Sequence, residues 1–74
     1  MYQIKKVLGK NVRFYRKKRG FTQENLAEEM NVESGYVSKV ERGIMNVRIE
    51  YVQKFAIALN VKASDLFKEV GDGE

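Results

Sequence analysis

The sequence predicts a folded domain of the all-α class, and three observations support this prediction. The 74 residues contain no proline and only six glycines, so few residues interrupt regular structure. Apolar residues recur at spacings of three and four residues, as on one face of a helix, and they do not alternate as in a strand. Of the residues, 43% are hydrophobic, which is enough for a folded core. We therefore expect one compact five-helix domain over residues 1–70 and a flexible tail over residues 71–74.

The first helix carries Leu8, Val12 and Tyr15 on one apolar face. Gly20 is expected to end it, because glycine readily takes the left-handed conformation at a helix C-terminus. Phe14 lies off the apolar face, which indicates either a partly exposed aromatic side chain or a contact with a partner.

Thr22 is a good N-cap for the second helix, and Glu24 lies favourably in the first turn. This helix is expected to run to about Met30. Asparagine tolerates the left-handed conformation, so a tight turn at Asn31 and Val32 is expected to follow.

The third helix is predicted over about Ser34–Arg42, and Gly43 ends it. Glu33 is a poor N-cap, and we expect Ser34 to take that role instead. A fourth helix then buries a stripe that ends at Asn60, with the members Ile49, Val52, Phe55, Ala56 and Leu59. A short fifth helix, about Ala63–Glu69, is expected to bury Leu66 and Phe67.

The composition disfavours several functions. The chain has no cysteine and no histidine, which excludes disulfides and thiolate ligands and removes the commonest general base and metal ligand. No nucleophile–base pair, phosphate-binding glycine loop or metal cluster is recognisable, so we expect neither catalysis nor a metal, cofactor or small-molecule ligand. No apolar run resembles a signal peptide or a membrane span, and a cytoplasmic location is expected.

The charge is distributed asymmetrically along the chain. The sequence has fourteen basic and ten acidic residues, and residues 1–23 hold eight of the basic residues and no acid. This pattern indicates a polyanionic partner, which is either nucleic acid or an anionic membrane surface. The membrane alternative is weakened because Leu8, Val12 and Tyr15 are needed for the core.

Two short helices joined by a tight turn are typical of a helix-turn-helix. The residues around that turn are more distinctive. They are Arg16, the segment Gly20-Phe21-Thr22-Gln23-Glu24-Asn25-Leu26-Ala27-Glu28, then Val32, Val37-Ser38-Lys39-Val40-Glu41-Arg42-Gly43, Phe55-Ala56-Ile57-Ala58-Leu59-Asn60-Val61 and Asp65-Leu66-Phe67. This pattern resembles the Cro/repressor-type (XRE-like) helix-turn-helix family of small bacterial and phage DNA-binding regulators, over about Leu8–Phe67.

Within that family, the run from Tyr36 to Gly43 followed by Asn46-Val47 is similar to the controller proteins of restriction–modification systems. Prophage repressors and mobile-element regulators share most of these residues. The sequence also departs from the family pattern: Glu33, Arg48 and Lys62 stand where a small hydroxyl residue usually caps a helix. Each missing cap is expected to cost about 1 kcal/mol.

The resemblance implies a sequence-specific transcriptional regulator of double-stranded DNA, with a recognition helix over about residues 34–42 in the major groove. The expected base contacts are Ser34, Gly35, Tyr36, Ser38 and Lys39. Ser and Lys side chains bond base edges, whereas glycine lets the backbone approach the DNA closely. The tyrosine is expected either to pack against a thymine methyl group or to bond a phosphate.

The resemblance also places a phosphate contact at Gln23, at the start of the second helix, and the residues that flank the recognition helix are further candidates. The expected residues are Thr22, Gln23, Arg42, Asn46 and Arg48. It further implies a structural ion pair between Arg16 and Glu41, which ties the first helix to the third.

Proteins of this size usually bind palindromic operators as two-fold dimers. Five apolar residues lack an evident place in the core and are candidates for a homodimer interface: Ile44, Met45, Val47, Tyr51 and Ile57. Such a protein is expected to regulate its own gene through its concentration, and the sequence leaves open whether it represses or activates. The alternative is an antitoxin or another protein-interaction module that uses the same fold.

Overall fold

The computed structural model describes residues 3–69, and that part of the chain is all-helical, as predicted. It contains four α-helices and one 3₁₀ helix, and it has no strand. The helices are α1 (Ile4–Lys18), α2 (Gln23–Met30), α3 (Ser34–Glu41), α4 (Ile49–Leu59) and the 3₁₀ helix (Ala63–Phe67). The predicted tail, residues 71–74, lies outside the described residues.

The prediction of five α-helices is wrong at the last element, because the segment from Ala63 forms a 3₁₀ helix. The Asp65 backbone N–H donates to the carbonyl of Lys62 at 2.9 Å, which is the i to i+3 bond of this helix type. The Asp65 carboxylate in turn accepts from the Lys62 N–H at 3.0 Å and from the Lys68 ammonium at 2.9 Å. The bond from Lys68, followed by that from the Lys62 backbone, lowers the pKa of Asp65.

Left-handed residues end the helices where the sequence indicated. Gly20 and Gly43 have φ of 76°, and Asn31 and Asn60 have φ of 58° and 59°. The Asn31 N–H donates to the Glu28 carbonyl at 3.1 Å, so the left-handed turn satisfies a carbonyl at the end of α2.

The helix starts differ in how they are capped. The Thr22 hydroxyl accepts from the Asn25 N–H at 3.0 Å, and the Asn25 side chain accepts from the Thr22 N–H at 3.2 Å. The two bonds form a reciprocal capping box. The sequence predicts the cap by Thr22, but not the bond to Asn25. Glu33 and Arg48 precede α3 and α4 without a side-chain cap bond. The expectation that Ser34 caps α3 is wrong, because Ser34 lies inside the helix.

One hydrophobic core holds all five elements together. Its fully buried large side chains come from every helix: Val12, Leu26, Val37, Val40, Phe55, Leu59 and Leu66. The prediction that Ile49 is buried is wrong, because its side chain is 82% exposed. Ile49 is the first residue of α4 and lies beyond the edge of the core. Together with Ile4 and Met45 it lines a shallow apolar groove.

Two features of α1 fix it against its neighbours, and the sequence indicated neither. Gly9 is buried, and a Cβ built there would lie 2.4 Å from the Val40 carbonyl oxygen. Asn11 is also buried, and its side-chain amide donates to the carbonyls of Val7, Leu66 and Lys68 at 2.7 to 3.0 Å. Helix α1 therefore contacts the end of α3 through its backbone and holds the 3₁₀ segment through Asn11.

None of the helices within residues 3–69 has the length and apolarity needed to cross a membrane.

Candidate nucleic-acid interface

Helices α2 and α3 pack closely and leave one side of α3 free. Val37 and Val40 are buried, whereas Ser34, Gly35 and Lys39 are exposed. Ser38 is half-buried. Hydrogen-bonding side chains are therefore presented along one face of α3, from Ser34 to Lys39, on a helix whose other face is buried. That is the arrangement by which a recognition helix reads base edges.

Gly35 lies in the open part of this surface. A Cβ built on it would have no neighbouring atom within 4 Å. The fold itself therefore does not require glycine here. Glycine in fact lowers the stability of a helix by up to about 1 kcal/mol relative to alanine.

Tyr36 does not lie with the exposed residues of α3. Its ring meets Tyr51 edge to face at a centroid distance of 5.3 Å and stacks with Phe55 at 6.2 Å. Its hydroxyl is buried and has no hydrogen-bond partner among the described residues. Burial, followed by the nearby Tyr51, raises the pKa of Tyr36. The ring thus joins α3 to α4, and in this position the buried hydroxyl is not available for the predicted phosphate bond. The predicted ring contact with a thymine methyl group stays a prediction, since Tyr36 is half-buried.

Arg16 and Glu41 form an ion pair with side chains only 11% and 5% exposed. The guanidinium donates from Nε and Nη2 to the two carboxylate oxygens and from Nη1 to the Phe21 carbonyl at 2.8 Å. Glu41 also accepts from the Gln23 amide at 3.1 Å. The pair therefore ties together the end of α1, the start of α2 and the end of α3.

The candidate phosphate contacts lie at the edges of the exposed face of α3. Thr22 is exposed, but its hydroxyl is engaged in the capping box. Gln23 is half-buried, and its amide donates to Glu41. Arg42, Asn46 and Arg48 are exposed. Among the described residues, only Arg48 of these three has a carboxylate nearby, that of Glu50 at 3.9 Å.

The five candidates for a dimer interface divide into two groups. Ile44 and Ile57 are 60% and 72% exposed, so both remain unexplained by the core. Met45 and Val47 are half-buried and pack against the core, and Tyr51 packs on Tyr36. The second group therefore has structural contacts that the sequence did not reveal.

Comparison with known proteins agrees with this geometry. A family model described as helix-turn-helix matches residues 12–66, which include all of α2, α3 and α4. The chain belongs to the Cro/repressor-type (XRE-like) helix-turn-helix family. The matched segment contains the ion pair and the exposed face of α3.

Relatives in this family differ in length. The chain is 36% identical over 62 residues to the transcriptional regulator SlrR of Bacillus subtilis, covering 82% of this chain and 41% of SlrR. It thus spans about two fifths of that relative. It is also 36% identical over 74 residues to the control protein C.BamHI of Bacillus amyloliquefaciens, covering 96% of this chain and 91% of C.BamHI.

A solved structure of the biofilm regulator SinR in complex with DNA superposes on this chain with a TM-score of 0.77. The sequences are 31% identical, and the match covers 82% of this chain and 98% of the SinR chain. The helical scaffold described above is therefore also that of a helix-turn-helix protein solved on DNA.

Proposed function

We propose that this protein is a sequence-specific DNA-binding transcriptional regulator that inserts α3 into the major groove of double-stranded DNA. The observation that carries the proposal is the exposed face of α3, where Ser34, Gly35 and Lys39 face outward from the buried Val37 and Val40. Serine bonds to any base edge, and the lysine ammonium reaches guanine O6 or N7. The DNA-bound SinR structure on the same scaffold supports this docking.

Phosphate contacts in this proposal come from the edges of the same surface. The first N–H groups of α2 attract an anion, and Gln23 lies beside them with its amide fixed by Glu41. Arg42, Asn46 and Arg48 supply further contacts on the other side of α3. These groups set the position of the protein on the duplex and carry salt-sensitive affinity, whereas the base contacts determine sequence.

The protein acts as a homodimer on a palindromic operator in the cytoplasm, without catalytic activity, cofactor or small-molecule ligand. The exposed Ile44 and Ile57 support a dimer, since a second protomer would bury these apolar side chains. The similarity to C.BamHI, a control protein, supports a controller-like role, because the match covers nearly the full length of both chains. In this proposal the role includes control of the protein's own gene.

Replacing Ser34 or Lys39 by alanine tests the roles assigned to α3. Each variant is expected to weaken binding to a preferred duplex by about 1–3 kcal/mol, because a base contact is lost, and to leave binding to random duplex nearly unchanged. The preferred duplex is obtained by selection from a randomised library. The control is Arg42→Ala, which is expected to weaken both duplexes alike. Equal losses on both duplexes for all three variants would contradict this division of roles.

Gly35→Ala separates folding from DNA binding at one position. The added methyl group meets nothing in the free protein, so the free energy of unfolding is expected to rise by up to about 1 kcal/mol. On DNA, the same methyl group occupies space that the duplex approaches, and affinity is expected to fall. Urea unfolding and DNA titration measure the two effects. Unchanged affinity in the stabilised variant would remove Gly35 from the interface.

A protein-interaction module such as an antitoxin is the second candidate. The observation that favours it is the set of exposed isoleucines, which includes Ile49 besides Ile44 and Ile57. Selection from the randomised library distinguishes the two functions, because a protein-interaction module enriches no sequence.

A further inference from the structure

Four basic side chains of α1 form a stripe that the helix-turn-helix surface does not include. Lys6, Lys10, Arg13 and Lys17 follow one another at spacings of four, three and four residues, which places them on one face of the helix. All four are exposed. We call this set the α1 stripe.

The α1 stripe has no ion-pair partner within residues 3–69. The ion pairs found within residues 3–69 use Arg16, Arg48 and Lys68, and none includes a member of the stripe. The neighbouring cations are engaged otherwise. Lys18 lies over the Phe14 ring at 5.8 Å, and Arg19 lies over Phe21 at 5.2 Å. The four stripe cations are thus left to an external anion.

The stripe adjoins the end of the recognition helix. A Cβ on Gly43 would lie 2.9 Å from Cγ of Lys6, so the loop after α3 rests on the first residue of the stripe. Gly9, beside Lys10, packs directly on the carbonyls of Val40 and Glu41. The stripe therefore begins beside the loop that follows the exposed Arg42, on a helix whose backbone packs against the end of α3.

We propose that the α1 stripe binds the phosphate backbone of the duplex beside the groove that α3 occupies. This inference rests on the proposed function and extends the interface from α2 and α3 to α1. From Lys6 to Lys17 the stripe is about 16 Å long, at 1.5 Å per residue, which matches the rise of roughly five base pairs.

The chemistry of the stripe favours a duplex over other anionic partners. A protein interface has apolar anchors at its centre, and the four members of the stripe are all cations. A membrane-surface helix needs a free apolar face, and that of α1 is buried in the core through Leu8 and Val12.

The test is the salt dependence of binding for Lys10→Gln/Arg13→Gln on a random duplex of about 30 base pairs. Each lost phosphate contact is expected to reduce the slope of log K against log salt by about 0.9, so the double variant should lose about 1.8. Its loss of affinity relative to wild type should consequently be about tenfold larger at 50 mM than at 200 mM salt. Binding to the preferred duplex should weaken equally, because phosphate contacts do not read sequence.

The matched control is Lys54→Gln/Lys62→Gln, which removes the same charge from α4 and from the turn that follows it. Thermal melting establishes that each variant is folded. The proposed role of the stripe would be overturned if the slope of log K against log salt in the stripe variant equalled that of wild type, or if the control variant changed the slope as much. Either result would leave the proposed function intact. Tighter binding of wild type to anionic phosphatidylserine vesicles than to duplex, or no binding to duplex, would overturn both.

Discussion

Gly9→Ala is expected to destabilise the protein by roughly 1–3 kcal/mol, although alanine is the better helix former. The added Cβ would lie 2.4 Å from the Val40 carbonyl oxygen and 2.8 Å from that of Glu41. Both obstacles are backbone atoms at the end of α3, so no side-chain rotation relieves the contact. Helix α1 must then move away from α3, which disturbs the core and the ion pair together. Urea unfolding followed by circular dichroism measures the loss.

Gly35→Ala is the matched control, because it makes the same chemical change within a helix where the new methyl group is free. The two substitutions are expected to shift the free energy of unfolding in opposite directions. A Gly9→Ala variant as stable as wild type would show that α1 and α3 are not in the close contact described here.

Glu41→Ala is expected to cost about 3–5 kcal/mol, because it leaves the buried Arg16 guanidinium without its carboxylate. That is a large share of the 5–15 kcal/mol typical of folded domains, so the variant should unfold at markedly lower urea concentration. The substitution also removes the acceptor that fixes the Gln23 amide. The folded fraction is therefore expected to bind both preferred and random duplex more weakly, through the phosphate contact at α2.

The control for this prediction is Glu50→Ala, which breaks the pair with Arg48. That pair is 3.9 Å long, with side chains 79% and 66% exposed, and exposed pairs contribute about 0–1 kcal/mol. If Glu41→Ala were no more destabilising than Glu50→Ala, the Arg16 pair would not have the structural role assigned to it.

Local chemistry explains which parts of the fold could be predicted. Helix ends at Gly20, Asn31, Gly43 and Asn60 follow from residues that accept positive φ, and the structure has each of them there. The helical period indicated the core face of α1 and most of that of α4. Such features depend on neighbours within a few residues along the chain, so the sequence contains the information needed.

The features that could not be predicted depend on contacts between distant residues. Gly9 resembles any helix glycine until α3 is placed beside it. Asn11 interrupts the apolar face three residues after Leu8, and this was a usable signal, but two of its three acceptors, the carbonyls of Leu66 and Lys68, lie more than fifty residues away. Ile49 keeps the helical period yet lies beyond the edge of the core.

The candidate site shows the same division. The exposure of Gly35 and Lys39 follows from the period of α3, because Val37 and Val40 must face the core, whereas Ser34 is exposed as the first residue of the helix. The position of Tyr36 could not be inferred, since its ring packs on Tyr51 and Phe55 of a helix whose place was unknown. Likewise, the bond between Gln23 and Glu41 joins two residues that the sequence assigned to separate roles.

Equilibrium binding of the wild-type protein to selected and unselected DNA tests the proposed function most directly. Duplexes enriched from a randomised library and the starting pool are titrated at equal length by fluorescence anisotropy at physiological salt. The enriched duplexes are expected to bind at least about 1,000-fold more tightly and to contain two inverted half-sites about 34 Å apart. Equal affinity for both, with the same salt dependence and no enriched sequence, would contradict the assignment of this protein as a sequence-specific regulator.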